Sequence, residues 1–460
     1  MLRTILAIIA AKIIIWVSRK FGNQGTVLAG RVARRFDPGI LKKLAAKVEK
    51  EIIIITGTNG KTTTSNMIAQ ILKVNGHSIV HNRAGANMLN GITTAFIEAT
   101  NLLGSRAWDY ALLETDEANV APLLKEVNAG VLLVTNFFRD QLDRYGELDY
   151  TISLITEGVK GRSLRLWLNA DDPLMSSFAQ DTGLPCSYYG FGETPYDTLE
   201  NHNSREGRYC MLCGEEIEYL RFHFAQLGVF CCPNCGNRNP RPDFEATDLK
   251  LDQGITMKVN GITIQSPYQG FYNAYNLLAA TALTKGLGVE DAVIQEALAC
   301  FQPQAGRMER FVIGEPEATL ILVKNPTGFN QSLQTVLQDS RSKNLFIALN
   351  DNAADGRDIS WIWDADLETI TVPGTGISVL VCSGLRSGDM AVRVKYAGVD
   401  SSIIEIESDL EKGIKKTLEG PGEVNYILST YTALFQCRKI LLGLQGEASG
   451  KTAPGRVYQR

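Results

Sequence analysis

Ile52-Ile53-Ile54-Ile55-Thr56-Gly57-Thr58-Asn59-Gly60-Lys61-Thr62-Thr63-Thr64 is the stretch on which the fold of this 460-residue chain turns. Four successive isoleucines have the length and β-branching of a strand buried on both faces, as in a parallel sheet. Gly57 to Thr64 reads as a glycine-bearing loop, and Ser65–Val74 reads as the helix that follows it. Gly57 and Gly60 let the backbone turn tightly and aim its N–H groups at phosphate oxygens, while the new helix adds its positive end. Lys61 is placed to reach β- and γ-phosphates, and Thr62 to offer its hydroxyl to Mg²⁺. The motif is a shortened phosphate loop, which ordinarily has four residues between its glycines.

Outward from this loop, apolar strands are expected at Tyr110–Leu113, Val131–Val134 and Leu164–Leu168, with helical stretches between them. That alternation predicts a mostly parallel sheet covered on both faces. Glu114, directly after one of these strands, is a candidate magnesium ligand beside Thr62. Helices are expected at Tyr275–Lys285 and Val289–Ala299. A second alternation follows Gly306, with strands at Thr319–Val323, Leu345–Leu349 and Ser378–Cys382. The organisation expected is a helical segment over 1–50, an ATP-binding α/β domain over 51–305 and a smaller α/β domain over 306–460.

Residues from about 205 to 240 break the pattern. Cys210-x₂-Cys213, eighteen residues, and Cys232-x₂-Cys235 give the spacing of a four-thiolate zinc ribbon, and Gly236 permits the turn around the second pair. Cys231 is adjacent and is an alternative to Cys232. Four thiolates leave no open coordination position, so the zinc would be structural. Cys186, Cys300, Cys382 and Cys437 read as core residues.

Composition is that of an ordinary globular chain: 45% hydrophobic, 21% charged, and 46 basic against 50 acidic residues for a net charge of −4. No basic surplus calls for nucleic acid. Met1–Val17 is strongly apolar, with Arg3 and Lys12 its only charges. Lys12 interrupts the run, which speaks against a signal peptide, and the run is shorter than the roughly 20 residues of a membrane span. A packed helix is expected, with peripheral membrane contact as the alternative.

Together these residues resemble the Mur ligase family, which includes the folylpolyglutamate synthetases. Thr56–Thr63 corresponds to the family signature, and Asn169-Ala170-Asp171-Asp172-Pro173 to its N-A-D-D motif. Asn273 and Asn276 match the helix start that contacts adenine. Gly306-Arg307-Met308-Glu309 matches the motif whose arginine reaches the γ-phosphate from the domain junction. The resemblance implies a central P-loop ATPase domain with the zinc ribbon inserted, plus a Rossmann-like C-terminal domain. It implies ATP and Mg²⁺ as reactants, with an acyl phosphate formed on a carboxylate and displaced by a nitrogen nucleophile. Nucleotide would lie on Gly57, Thr58, Asn59, Gly60, Lys61, Thr62, Thr63, Asn276 and Arg307. Lys61, Glu114 and Arg307 would carry the phosphoryl transfer, and Thr62 and Glu114 the magnesium.

Departures accompany the matches. Asp140-Gln141 stands where most of the family has Asp-His, a magnesium ligand. The lysine that is carbamylated in amino-acid-adding members should fall near Thr156, and Lys160 is the nearest lysine. Lys324-Asn325-Pro326 replaces an acidic residue and a histidine before the proline.

A zinc ribbon within such a core, with Asp351-Asn352-Ala353-Ala354-Asp355-Gly356-Arg357-Asp358 and Ser360-Trp361-Ile362-Trp363-Asp364, resembles the MurT-like group of synthetase subunits. That resemblance implies a GatD-type glutaminase partner that releases ammonia, and amidation of the D-glutamate α-carboxylate of lipid II. The setting it implies is cytoplasmic, at the inner face of the membrane. An aspartate of the synthetase would complete the partner's Cys/His pair: Asp351, Asp355 and Asp358 are the candidates, and Asp355 is the choice. The chain has no G-x-S-x-G elbow and only four histidines, His77, His81, His202 and His223, which agrees with glutamine hydrolysis elsewhere. The competing readings are a ligase that adds an amino acid unaided and an ATP-binding scaffold without chemistry of its own.

Overall fold

A computed structural model of the chain describes residues 2–20, 26–82, 86–138, 148–199, 207–252, 254–302, 305–313 and 317–448. They form two compact units. The first holds the described residues of Met1–Phe138, Glu147–Pro267 and Phe271–Phe301, and the second those of Tyr268–Gly270 and Gln302–Arg460.

The first unit contains β1 (Val48–Thr56), β2 (Ile79–His81), β3 (Trp108–Glu114), β4 (Val131–Val134), β5 (Arg165–Asn169) and β6 (Cys186–Phe191). After them come β7 (Glu218–Phe224), β8 (Leu227–Cys231), β9 (Phe244–Lys250), β10 (Ile255–Val259) and β11 (Ile262–Ser266). Among the described residues, nine of these make one sheet in the order β11-β10-β9-β6-β5-β4-β1-β3-β2. Pairing is parallel from β2 through β9 and antiparallel for β9–β10 and β10–β11. Ile52–Thr56 is wholly buried because β1 lies between β3 and β4 under helices on both faces. From β3 on one side of β1 the chain passes to β4 on the other, so the carboxyl ends of these strands open on a switch-point crevice. Register places Ile55 beside Glu114 and Thr56 beside Val134, which sets the loops after all three strands at one edge.

The N-terminal helices Leu2–Lys20, Thr26–Phe36 and Ile40–Ala45 belong to this unit's core. Ala7, Ile8, Ala11, Ile15, Ala29, Ala33 and Leu41 join one cluster with Ile54, Phe96 and Trp108. Among the described residues no helix is long and apolar enough to cross a membrane.

The second unit contains β12 (Arg307–Phe311), β13 (Ala318–Leu322), β14 (Lys343–Ala348), β15 (Ile377–Ser383), β16 (Ile404–Ile406) and β17 (Val424–Ser429). Its sheet runs β12-β13-β17-β14-β15-β16, antiparallel only at β12–β13. Along and just after β14, Leu345, Ile347 and Leu349 enter one hydrophobic cluster while Phe346 and Ala348 enter another. The alternation of a strand thus feeds two cores, one on each face.

Two expectations are corrected, the start of the helix after the loop and the burial of the scattered cysteines, and the mostly parallel sheet has one feature not anticipated. The helix after the phosphate loop begins at Lys61, not Ser65, and runs to Val74. Gly60 at φ +85° completes the turn, and Thr64 N–H already bonds to Gly60 O at 2.9 Å. The sheet also carries the antiparallel β9–β11 ribbon, whose exposed charged and polar residues, among them Glu245, Asp248, Lys258 and Gln265, break up the apolar runs that mark the other strands. Of the four cysteines read as core, Cys382 and Cys437 are buried, Cys186 is half-buried and Cys300 is exposed.

Candidate active site

The loop after β1 is held from three directions. Gly57 and Gly60 have φ of +115° and +85°. A Cβ on Gly57 would sit 2.4 Å from Thr135 Oγ1, and one on Gly60 would sit 2.1 Å from Asn276 Oδ1, so both positions exclude a side chain. From the end of β4, Thr135 Oγ1 donates to Asn59 O at 2.7 Å and Asn136 Oδ1 accepts from Asn59 N–H at 3.0 Å. Thr58 Oγ1 donates to Phe138 O at 2.9 Å and accepts from Phe138 N–H at 3.0 Å. From the helix Phe271–Gly286, Asn276 Oδ1 accepts from Thr64 Oγ1 at 3.2 Å, and its Nδ2 donates to Asn273 Oδ1 at 3.0 Å. Asn273 and Asn276 are both buried, Asn276 directly beside Gly60 of the loop.

Lys61 is buried and its Nζ donates to Gly57 O, curling over the loop, and to Glu117 Oε1 at 2.8 Å. Burial pushes the Glu117 carboxyl upward, and the Lys61 ammonium opposes that shift. Glu117 lies in the short 3₁₀ turn after β3 and is a residue that the sequence motif does not mark. Thr62 Oγ1 donates to Glu114 Oε1 at 3.0 Å. Glu114 is aligned in turn by Asn82, whose Oδ1 accepts from Glu114 N–H at 2.9 Å and whose Nδ2 donates to Glu114 O at 2.7 Å. A hydroxyl and a carboxylate at adjoining strand ends are the hard oxygen donors that Mg²⁺ takes. The structure therefore brings Thr62 and Glu114 together as a donor pair that fits the ion.

The N-A-D-D turn is a buried anchor. Asp171 Oδ2 accepts from Phe191 N–H at 2.8 Å and from Tyr275 Oη at 2.9 Å. Asp172 accepts from Phe137 N–H at 3.0 Å and Leu174 N–H at 3.1 Å. Desolvation raises their carboxyls to about 6 and about 7, against these hydrogen bonds, which lower them. The turn thereby fixes Phe137, next to the Phe138 that grips Thr58.

The sulfurs of Cys210, Cys213, Cys232 and Cys235 all lie within 4.8 Å of one another. Two pairs are 3.6 and 3.5 Å apart, near the edge of about 3.8 Å expected for a tetrahedron with zinc–sulfur bonds of about 2.3 Å. Each knuckle closes in the same way: Gly214 N–H bonds to Cys210 O at 2.8 Å, and Gly236 N–H to Cys232 O at 3.0 Å. Cys231 is outside the cluster, its Sγ turned to Cys232 O. The ribbon is tied to the N-A-D-D region by Gly228 N–H to Asp171 O (2.9 Å), Asn239 Nδ2 to Ala170 O (2.9 Å) and Gln226 Nε2 to Phe137 O (2.6 Å).

Asp140 and Gln141 lie outside the described residues. Thr156 is buried and its hydroxyl returns to Ile152 O at 2.9 Å, while Lys160 pairs on the surface with Glu157. Neither is a residue of the phosphate site. Asn325 is fully buried and caps the helix Pro326–Gln338 by accepting from Gly328 N–H at 2.8 Å.

In the second unit Arg307 opens β12. The three candidate aspartates differ in their surroundings. Asp351 pairs with Arg386 at 2.7 Å, and the exposed Asp358 caps Ser360. Asp355 is buried and accepts from Thr432 N–H at 2.7 Å and from the Thr432 hydroxyl.

This fold and loop define a protein of the Mur ligase class. A family model described as "Mur ligase middle domain" matches residues 55–237, and one described as "MurT ligase C-terminal" matches residues 322–434. The chain is 38% identical over 430 residues to the MurT subunit of lipid II isoglutaminyl synthase of Staphylococcus aureus (strain COL), spanning 93% of this chain and 95% of the relative. It is 34% identical to the MurT subunit of Streptococcus pneumoniae (strain R6), spanning 96% and 98%. A pseudomurein peptide ligase type C from Methanothermus fervidus superposes with a TM-score of 0.67 at 24% identity, over 86% of this chain and 79% of that one, a likeness of fold. The chain belongs to the MurT family.

Proposed function

We propose that the chain is the synthetase subunit of a lipid II isoglutaminyl synthase, amidating the α-carboxylate of the stem-peptide D-glutamate with ammonia from a GatD-type glutaminase. The observation that carries this reading is similarity to MurT subunits over nearly the full length of both chains. The phosphate loop, Lys61 and the Thr62–Glu114 pair support the chemistry. A carboxylate is a poor electrophile, and transfer of the ATP γ-phosphoryl group to it supplies a leaving group that ammonia displaces. Backbone N–H groups of the loop and the start of the helix Lys61–Val74 would hold the β- and γ-phosphates. Lys61 would exchange Glu117 for phosphate oxygen, and Arg307 is assigned to the γ-phosphate on its motif. Mg²⁺ would be held by Thr62 and Glu114 and would supply neutralising charge. Four thiolates suit a structural zinc. Asp355 is the carboxylate assigned to the partner's Cys/His pair, its orientation set by Thr432.

Lipid II, ATP and either glutamine plus the glutaminase or ammonium alone make the test. An acceptor lighter by the exchange of OH for NH₂, formed with ammonium alone but dependent on the partner when glutamine is the donor, is the expected result. An acceptor heavier by an amino-acid residue would replace this reading with the unaided ligase. ATP turnover indifferent to the acceptor would replace it with the scaffold.

A further inference from the structure

The helix Leu2–Lys20 is apolar on two sides. Ala7, Ala11 and Ile15 are buried in the core, while Leu2, Leu6, Ile9, Ile13, Trp16 and Val17 are exposed. At 3.6 residues per turn those six fall within an arc of about 100° opposite the buried three and Ile8, which is buried with them. Ile13 and Trp16 are 56% and 59% exposed, far more than packing on this fold would leave. The helix Thr26–Phe36 packs beside it and repeats the arrangement, with Ala29 and Ala33 buried and Val27, Leu28, Arg31 and Arg35 exposed on the opposite side. The Lys20 ammonium lies 3.9 Å from the Trp16 ring centroid, an apolar ring capped by a cation.

Charge is distributed unevenly along the chain. Residues 1–50 hold eleven Lys or Arg against two Asp or Glu, a net +9, so the other 410 residues carry −13 to give the total of −4. A large aliphatic stripe with Trp and flanking cations, on a helix that is not long and apolar enough to span, is the composition of an element lying in an anionic lipid interface. Lys and Arg stems cover apolar surface while their heads meet phosphate.

We propose that the outer face of the helices Leu2–Lys20 and Thr26–Phe36 docks the protein on an anionic bilayer surface. The proposal concerns a surface, not the reaction, so vesicle binding tests it separately from amidation. The full-length chain, alone and with its glutaminase, is sedimented with phosphatidylcholine vesicles with and without phosphatidylglycerol. Binding to the anionic vesicles that weakens with salt is expected. Ile13→Glu with Trp16→Glu should abolish it, and Arg31→Glu with Arg35→Glu should weaken it by at least about tenfold. These positions are exposed, so the thermal transition and the ATPase rate with a water-soluble acceptor should stay unchanged. Failure to partition into either vesicle, or equal partition into both, would overturn the proposal. So would a dimer in light scattering that the same variants dissolve, since the face would then belong to a second copy.

Discussion

Lys61 and Glu117 form a buried ion pair at the point where a nucleotide's phosphates would enter, so the lysine has a partner before substrate arrives. Removing one member of such a pair strands the other in a medium that penalises its charge. Lys61→Met should therefore lower stability by about 3 kcal/mol or more and reduce acceptor-dependent ATP turnover by about 100-fold or more. Adding Glu117→Gln should recover most of the stability in denaturant melts and none of the activity, which separates the two tasks of Lys61. Equal recovery of both would show that the lysine only packs. Lys61 is legible in the sequence because its motif fixes its spacing from the glycines. Glu117 is not, since an acid three residues past Glu114 looks like a solvated turn until the fold folds it under the loop. Asp355 calls for a different measurement. Asp355→Asn keeps an oxygen acceptor for Thr432 while removing the charge, and it should abolish glutamine-dependent amidation while sparing ammonium-dependent amidation. Asp351→Asn or Asp358→Asn giving that split instead would move the assignment to the residue concerned.

The four-cysteine ribbon shows how one element supports another. Its small core of Cys210, Ile217, Phe230 and Cys232 is too meagre to hold a hairpin alone, which is why a metal is expected to complete it. Its ties reach Ala170, Asp171 and Phe137, and Phe138 grips Thr58 of the phosphate loop. Cys213→Ser leaves an exposed position, so its effect should come from the metal rather than from packing. We expect bound zinc, measured by elemental analysis, to fall from one per chain, with affinity lower by at least about tenfold. Melting temperature and ATP turnover should fall together, because the loop loses a support it does not touch. Zinc loss with unchanged turnover would show that the ribbon serves another surface. The convergence of the four cysteines was legible from spacing alone, since two knuckles each with a trailing glycine bring their thiols to one place. The ribbon's attachment was not, because Gln226 and Phe137 are 89 residues apart and nothing in either marks the other.

At the scale of the molecule, the sheets were legible at continuous apolar runs buried on both faces, as at Ile52–Ile55, Val131–Val134 and Leu345–Leu349, and illegible in β17, equally buried but interrupted by Asn425 and Tyr426, and in β9–β11, where one face is wet. The same burial has a consequence for pH. Asp171 and Asp172 sit where the nine-stranded sheet, the helix Phe271–Gly286 and the ribbon meet, and desolvation raises their carboxyls from the ordinary 3.8 to about 6 and about 7. A carboxyl whose folded-state value is raised contributes stability that is complete below about 4 and lost as pH rises through the folded value. For Asp172 the full loss is about 4 kcal/mol, and it falls between about pH 4 and pH 7. Asp172→Asn cannot ionise, though it gives up one of the two acceptors for Phe137 and Leu174, a cost of about 1 kcal/mol at every pH. The variant should thus be the less stable protein at pH 4 and the more stable one at pH 8, with the two melting curves crossing between. Carboxylates other than Asp171, whose charge acts on Asp172, titrate equally in both proteins, so the difference between the curves isolates this neighbouring pair. Parallel curves would mean that Asp172 stays ionised across the range, its two N–H donors outweighing its burial.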